Sequence, residues 1–231
     1  MRQIRQITVT ETEKLLVSLS LFFRLFLGQY GEIVTQYTDC PYCSSDDAVL
    51  TDLLLEIRSV LIPDGDFGGN GLQFSLGVWN PKTAEIAEKA YDIYQCLRYQ
   101  MLCYKNTDGQ TDVRWAVPLV HHSWHVSGFL EEEYMRLIRQ QAVTYPKLAW
   151  ECPVFLNFEK DRMELWLDSD EVSCVLDKAS WYYQQLHKGC LYDIFKDICQ
   201  SQSLDIADNW LQDKGMELVR LMDAYKKSCL A

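Results

Sequence analysis

The sequence is poor in proline, glycine and histidine, with six prolines, eleven glycines and four histidines among 231 residues. The scarcity of proline and glycine disfavours an all-β fold, which needs many turn residues, and favours helices joined by short loops. Long apolar runs are also missing, since the most apolar stretch, residues 15–23, is much shorter than the roughly 20 residues that span a bilayer. Acidic residues precede that stretch and no small-residue cleavage site follows it. We therefore expect a cytoplasmic protein that does not enter a membrane.

Basic residues are outnumbered, because 22 lysines and arginines stand against 33 aspartates and glutamates and leave a formal net charge of −11. A surface with this excess repels phosphate backbones, which disfavours direct nucleic-acid binding over a broad basic face. The same excess attracts basic surfaces. We therefore expect the partner to be another protein, with basic and nucleic-acid-binding proteins favoured by their charge.

Apolar residues make up 48% of the sequence and aromatic residues 13%, which is enough for a continuous hydrophobic core. The length suits a single globular domain over residues 1–231, or two closely packed lobes that meet near residues 105–120. Helical periodicity dominates. The predicted fold class is α+β and predominantly α-helical, with about seven helices and a small antiparallel sheet or hairpin.

Start and stop signals place the individual elements. A capping box of Thr10 and Glu13 predicts the beginning of a first, almost fully buried helix that ends near Gly28 or Gly31. Asn80 as N-cap and Pro81 in the first turn predict the beginning of a later helix. The remaining predictions are a helix from Asp46 or Asp47 to Leu61, a short strand over residues 113–120, a helix over 131–143, a hairpin over 154–167, and helices over 169–186, 190–200 and 204–228.

The most distinctive motif is Cys40-Pro41-Tyr42-Cys43. This tetrapeptide resembles the active-site sequence of glutaredoxins, which are thiol oxidoreductases of the thioredoxin fold. The resemblance implies a strand over residues 32–38, a turn with the two thiols, and a helix whose N-terminus lowers the pKa of the first thiol. Acidic neighbours oppose that activation. Redox activity of Cys40 and Cys43 is therefore an alternative to an inert turn.

Nine cysteines, an odd number spread through the chain, do not form the pattern of a disulfide framework. The Cys40–Cys43 pair supplies two zinc ligands, and a structural zinc site needs four. The histidines of residues 121–125 would have to complete it, and nothing in the spacing requires them to meet the cysteines. We expect no bound metal and no cofactor.

Three of the four histidines lie within five residues, in the sequence VHHSWH. Imidazole, hydroxyl and indole groups together suit hydrogen bonding and stacking with a small ligand or with a partner's side chain. A serine beside histidines also permits hydrolysis, although no nucleophile elbow accompanies it. The candidate binding residues are His121, His122, Ser123, Trp124, His125 and Trp115.

The stretch 159–177 is the second candidate surface, because it holds seven acidic and two basic residues. It also brackets Trp166, which the pattern predicts to be exposed. An acidic recognition surface is readily built from such a stretch. The candidate residues of this surface are Glu159, Asp161, Glu164, Asp168, Asp170 and Glu171.

The favoured function is a non-enzymatic, acidic protein-binding module, because aromatic residues are preferred anchors at protein interfaces. The opening ITVTETEKLL resembles the openings of many short helical proteins of phages and mobile elements. That resemblance implies an inhibitor or accessory factor that acts on a host protein. The alternatives are an enzyme or small-ligand-binding protein with a pocket at residues 121–125, or a thiol-redox protein that uses the Cys40–Cys43 pair.

Overall fold

A computed structural model describes residues 3–43, 47–65, 67, 69, 71–72, 74–78, 80–105, 152–159 and 162–230. Within these residues there are seven helices and one three-stranded antiparallel sheet, which confirms the predicted fold class. The elements in chain order are β1 (Gln3–Ile7), α1 (Val9–Phe26), α2 (Gly31–Thr38), α3 (Ala48–Leu61), α4 (Glu85–Lys105), β2 (Val154–Glu159), β3 (Arg162–Leu167), α5 (Asp170–His187), α6 (Leu191–Ser201) and α7 (Asp208–Cys229).

The chain divides into two compact units, each assembled from two separate stretches. Unit 1 comprises Met1–Ser20 and Glu88–Lys178, and unit 2 comprises Leu21–Ala87 and Ala179–Ala231. The expectation of one domain, or of two lobes that meet near residues 105–120, stays a prediction because residues 106–151 lie outside the described part. The strand predicted over 113–120 and the helix predicted over 131–143 also fall outside the residues that the structure describes. None of the described helices combines the length and the apolarity needed to cross a membrane.

The sheet of unit 1 has the strand order β1-β3-β2. β2 and β3 form the predicted hairpin, with Val154 opposite Leu167 and Phe158 opposite Met163. β1 was not predicted, because the apolar residues of its sequence QIRQI are three positions apart and do not alternate with polar ones. Its place in the sheet comes from pairing with β3, in which Gln3 lies opposite Leu167.

A buried glutamine joins helix α4 to the edge of this sheet. The side-chain amide of Gln100 donates to the carbonyl of Val154 over 3.1 Å, and its Oε1 accepts from the backbone N–H of Leu156 over 2.7 Å. Gln100 is only 7% exposed. Because β2 is an edge strand, its outer backbone groups need partners when they are buried. Gln100 provides a hydrogen-bond partner for two of these backbone groups.

Aromatic packing forms the centre of unit 2. The rings of Phe22 and Tyr182 meet edge to face with centroids 4.7 Å apart, and Tyr30 and Phe195 are also fully buried. The hydroxyl of Tyr182 donates to a carboxylate oxygen of Asp197 over 2.6 Å. Burial, together with the Asp197 charge, raises the pKa of Tyr182 far above its usual range. This phenol therefore serves as a permanent hydrogen-bond donor inside the core.

Two helices begin at other residues than predicted. The capping box of α1 consists of Thr8 and Glu11, because the Glu11 carboxylate accepts from the Thr8 N–H over 2.8 Å and the Thr8 hydroxyl oxygen accepts from the Glu11 N–H over 3.2 Å. Asn80 is not an N-cap. It forms a turn in which its carbonyl accepts from the N–H of Thr83 over 2.8 Å, and α4 begins only at Glu85.

A buried arginine organises the connection between α3 and α4. Arg58 is 4% exposed, and its Nη1 donates to the carbonyls of Gly71 and Phe74 over 3.1 and 2.9 Å. Its guanidinium also lies 4.3 Å from the ring centroid of Phe67.

The Phe67 ring also accounts for the glycine that follows α1. Gly28 has φ +77°, and a Cβ there would lie 2.5 Å from the Phe67 ring, so the predicted end of α1 near Gly28 is confirmed.

Replacing Arg58 with methionine should lower the free energy of unfolding by about 3 kcal/mol, because two charge-assisted hydrogen bonds to loop carbonyls are lost. Urea denaturation followed by circular dichroism measures this change. Arg220, exposed on α7, provides the matched control, and R220M should change stability by less than about 0.5 kcal/mol. Equal stabilities of the two variants would show that Arg58 does not anchor the connection.

Candidate functional site

The Cys-Pro-Tyr-Cys motif lies between two helices in unit 2. Residues 32–38, predicted as a strand from the glutaredoxin resemblance, belong to α2, so that prediction is wrong. The buried residues Tyr30, Ile33, Val34 and Thr38 recur at intervals of three and four, which is the period of a helix face. α2 ends at Thr38, and its C-cap residue Asp39 has a left-handed φ of 58°. The motif thus begins directly after a helix C-terminus.

Hydroxyl groups tie the turn of residues 39–43 back onto its flanking helices. The backbone N–H of Cys40 donates to the Thr38 hydroxyl over 3.2 Å, and that of Tyr42 donates to the Thr35 hydroxyl over 3.2 Å. The phenol oxygen of Tyr42 lies 2.6 Å from the hydroxyl oxygen of Thr51 on α3. The turn is therefore positioned by side chains from both α2 and α3.

The last turns of α7 pack against the turn of residues 39–43. The Tyr225 hydroxyl donates to the carbonyl of Pro41 over 3.3 Å, and the ring of Tyr225 meets that of Tyr42 edge to face with centroids 5.4 Å apart. The ammonium of Lys226 donates to the carbonyl of Tyr37 over 3.3 Å and lies 3.9 Å from the carboxylate of Asp39. Apolar, polar and charged contacts all join these two segments.

This packing brings Cys229 to Cys40. Cys229 follows Tyr225 by four residues, so the two side chains share one face of α7. The neighbouring Cys229 thiol, together with partial burial, raises the pKa of Cys40. Cys40 is half-buried and Cys229 is exposed, and both are free cysteines. The site is therefore a pair of neighbouring thiols from distant parts of the chain.

The flanking helices do not activate Cys40 as a thiolate. Cys40 lies just beyond the C-terminal end of α2, where the helix dipole carries partial negative charge and disfavours an anion. At the beginning of α3, the carboxylate of Asp47 accepts from the Leu50 N–H over 3.0 Å. That carboxylate occupies a helix N-terminal donor that an activated cysteine would use. The charge of Asp39 further raises the pKa of Cys40.

Of the other predicted site residues, the cluster around VHHSWH lies outside the described part of the chain. His121, His122, Ser123, Trp124, His125 and Trp115 therefore stay predictions. The same holds for Asp161 and for the side chain of Glu159 in the predicted acidic surface.

The described part of that acidic surface is largely engaged within unit 1. Glu164 accepts from the amide of Gln6 over 2.7 Å and from the indole N–H of Trp166 over 3.0 Å. Trp166 is 6% exposed, so its predicted exposure is wrong. Asp170 accepts from Gln3, and Glu171 pairs with Lys89. Asp168 is half-buried. These contacts give the carboxylates structural roles as well.

No family model, curated protein or solved structure matches the chain. Within the described residues, no group of three or more histidine, cysteine, aspartate or glutamate side chains is placed to hold a metal ion. The candidate functional site of the described residues is the pair of neighbouring thiols of Cys40 and Cys229. Cys229 was missed at the sequence level because only the packing of α7 reveals its proximity to Cys40.

In a Cys43→Ser background, alkylation of Cys40 by iodoacetamide should report an apparent pKa above that of an ordinary cysteine. Cys229→Ala should lower this pKa, because the neighbouring thiol that favours the neutral form of Cys40 is removed. The measurement is the alkylation rate against pH, read by peptide mass spectrometry. Cys174→Ala, an exposed cysteine of unit 1, should leave the profile unchanged. A Cys40 pKa below the ordinary range would contradict this geometry.

Proposed function

We propose that this chain is a non-enzymatic, acidic protein-binding module that docks onto a basic surface of another protein. An inhibitor or accessory factor of a phage or mobile element, acting on a host protein, is the biological form that we favour. The observation that supports the proposal is the excess of acidic over basic residues in unit 2. The stretches 21–87 and 179–231 hold 16 acidic and 9 basic residues.

Part of this excess gathers on two helices that pack together, α3 and α7. We define the acidic face as Asp52 and Glu56 on α3, Asp205 before α7, and Asp208 and Asp213 on α7, all of which are exposed. Two lysines are held against it. Lys214 lies 2.8 Å from Glu56, and Lys196 lies 3.2 Å from Asp208. The pairs neutralise two of the five carboxylates.

Three carboxylates of the acidic face remain available to a partner. Asp52, Asp205 and Asp213 make no hydrogen bond or ion pair within the part of the chain that the structure describes. Exposed charges of one sign accelerate encounter with a surface of the opposite sign, and salt screens this attraction. The side chain of Met216, 58% exposed on α7, adds apolar area beside these charges. A basic surface with an apolar element is the complementary partner.

Neutralising these three residues together, as D52N, D205N and D213N, should weaken partner binding about tenfold at low salt because the steering charge is removed. The fold should be unchanged, since the three side chains make no internal contacts to lose. The experiment captures binding partners from a host lysate with the tagged wild-type protein. Affinities of wild type and variant for the captured protein are then measured between 50 and 500 mM salt, chosen to span about a threefold change in Debye length.

A matched control neutralises three carboxylates of the surface predicted from sequence, as D168N, D170N and E171Q in unit 1. This control should bind as wild type does. Loss of binding in the control alone would assign the interface to unit 1 and contradict the acidic face. Capture of no protein at any salt concentration, or an affinity that does not change with salt, would contradict the proposed function.

A further inference from the structure

We infer that Cys40 and Cys229 form a reversible intramolecular disulfide, with a peroxide as the oxidant and a dithiol as the reductant. This site differs from the pair that the Cys-Pro-Tyr-Cys motif suggests, because the second thiol comes from the end of α7 and replaces Cys43. The inference is independent of the proposed protein-binding function.

The contacts around the two thiols carry this inference. Tyr225 bonds to the carbonyl of Pro41, and Lys226 bonds to the carbonyl of Tyr37 and pairs with Asp39. These bonds hold the last turns of α7 against the backbone on both sides of Cys40. Cys229 lies one helical turn beyond Tyr225 on the same face of α7, and this packing makes its thiol a neighbour of the Cys40 thiol, whose pKa it raises. Disulfides form where the two Cβ atoms already lie close together.

Exposure assigns the order of the two steps. Cys229 is exposed and Cys40 is half-buried, so the peroxide reaches Cys229 first. The Cys229 thiolate attacks a peroxide oxygen, the O–O bond breaks, and hydroxide leaves as a sulfenic acid forms. The Cys40 sulfur then attacks the Cys229 sulfur, the S–O bond breaks, and hydroxide leaves with the proton of the Cys40 thiol. Two thiols lose two electrons and two protons in total, and hydrogen peroxide becomes two molecules of water.

The environment of Cys40 makes this a slowly oxidised pair. The carbonyl end of α2 and the carboxylate of Asp39 disfavour a thiolate at Cys40. Cys40 therefore acts as the resolving thiol. A dithiol attacks the exposed Cys229 sulfur of the disulfide. The dithiol supplies two electrons, is itself oxidised to a disulfide, and restores both protein thiols.

The test treats the full chain with a small excess of hydrogen peroxide, blocks remaining thiols with N-ethylmaleimide, and maps disulfides by tryptic peptide mass spectrometry. Cys40 and Cys43 lie on one tryptic peptide, residues 25–58, and Cys229 lies on another, residues 228–231. A cross-linked pair of these peptides should appear in wild type and in Cys43→Ser. Dithiothreitol should abolish it. Cys174→Ser provides a control in which the product should be unchanged.

Cys229→Ser, at an exposed position, should keep the circular dichroism spectrum of wild type and lose the cross-linked pair completely. Cys40→Ser should lose it as well. A disulfide between Cys40 and Cys43 in wild type would overturn the inference. So would a cross-link that persists in Cys40→Ser, or recovery of both cysteines in alkylated or sulfinic form without any cross-linked peptide.

Discussion

The contact on which the described site depends is the packing of Tyr225 against Tyr42 and the carbonyl of Pro41. Tyr225 is the last residue of a buried stripe on α7 that also contains Leu211, Leu218 and Met222. Because this stripe fixes the rotation of α7 about its axis, it also fixes which residues of the last turn face the turn of residues 39–43. Lys226 and Cys229 reach that turn as a consequence.

The turn of residues 39–43 places its first cysteine where the flanking helices disfavour a thiolate. Thiol chemistry of the glutaredoxin kind needs a helix N-terminus at the cysteine, whereas Cys40 follows the C-terminus of α2. The carboxylate of Asp47 already caps α3. Cys40 is therefore held as a neutral thiol beside Cys229, which suits slow oxidation by a small oxidant better than rapid exchange with a disulfide substrate. The pronounced negative charge of unit 2 acts in the same direction, since it disfavours thiolates and favours basic partners.

Elements with a strong local pattern were predicted well from the sequence. The core stripe of α3, including Leu50, Leu54 and Ile57, is buried as its spacing indicates, and the hairpin of β2 and β3 follows from alternation. Local competition explains the shifted beginning of α1, because both Thr8 and Thr10 precede a glutamate by three residues and only Thr8 forms the capping box. Sequence alone does not decide between two such frames.

The errors arise where tertiary contacts override or replace the local signal. β1 has no strand periodicity and is formed by its pairing with β3. The segment preceding Cys40 is rich in β-branched residues, yet its buried side chains follow a helical period. Trp166 lies between acidic residues and is buried in the sheet. The proximity of Cys229 to Cys40 depends on how α7 packs, and no spacing in the sequence encodes it.

The central claim is that the thiols of Cys40 and Cys229 are neighbours, and a short bifunctional thiol reagent tests it most directly. Dibromobimane becomes fluorescent when both of its arms react with thiols, so it reports on reduced neighbours without an oxidation step. The account predicts rapid fluorescence in a Cys43→Ser protein and a bridged peptide that joins Cys40 to Cys229. Fluorescence that persists when Cys229 is also replaced, or a bridge from Cys40 to any other cysteine, would contradict it.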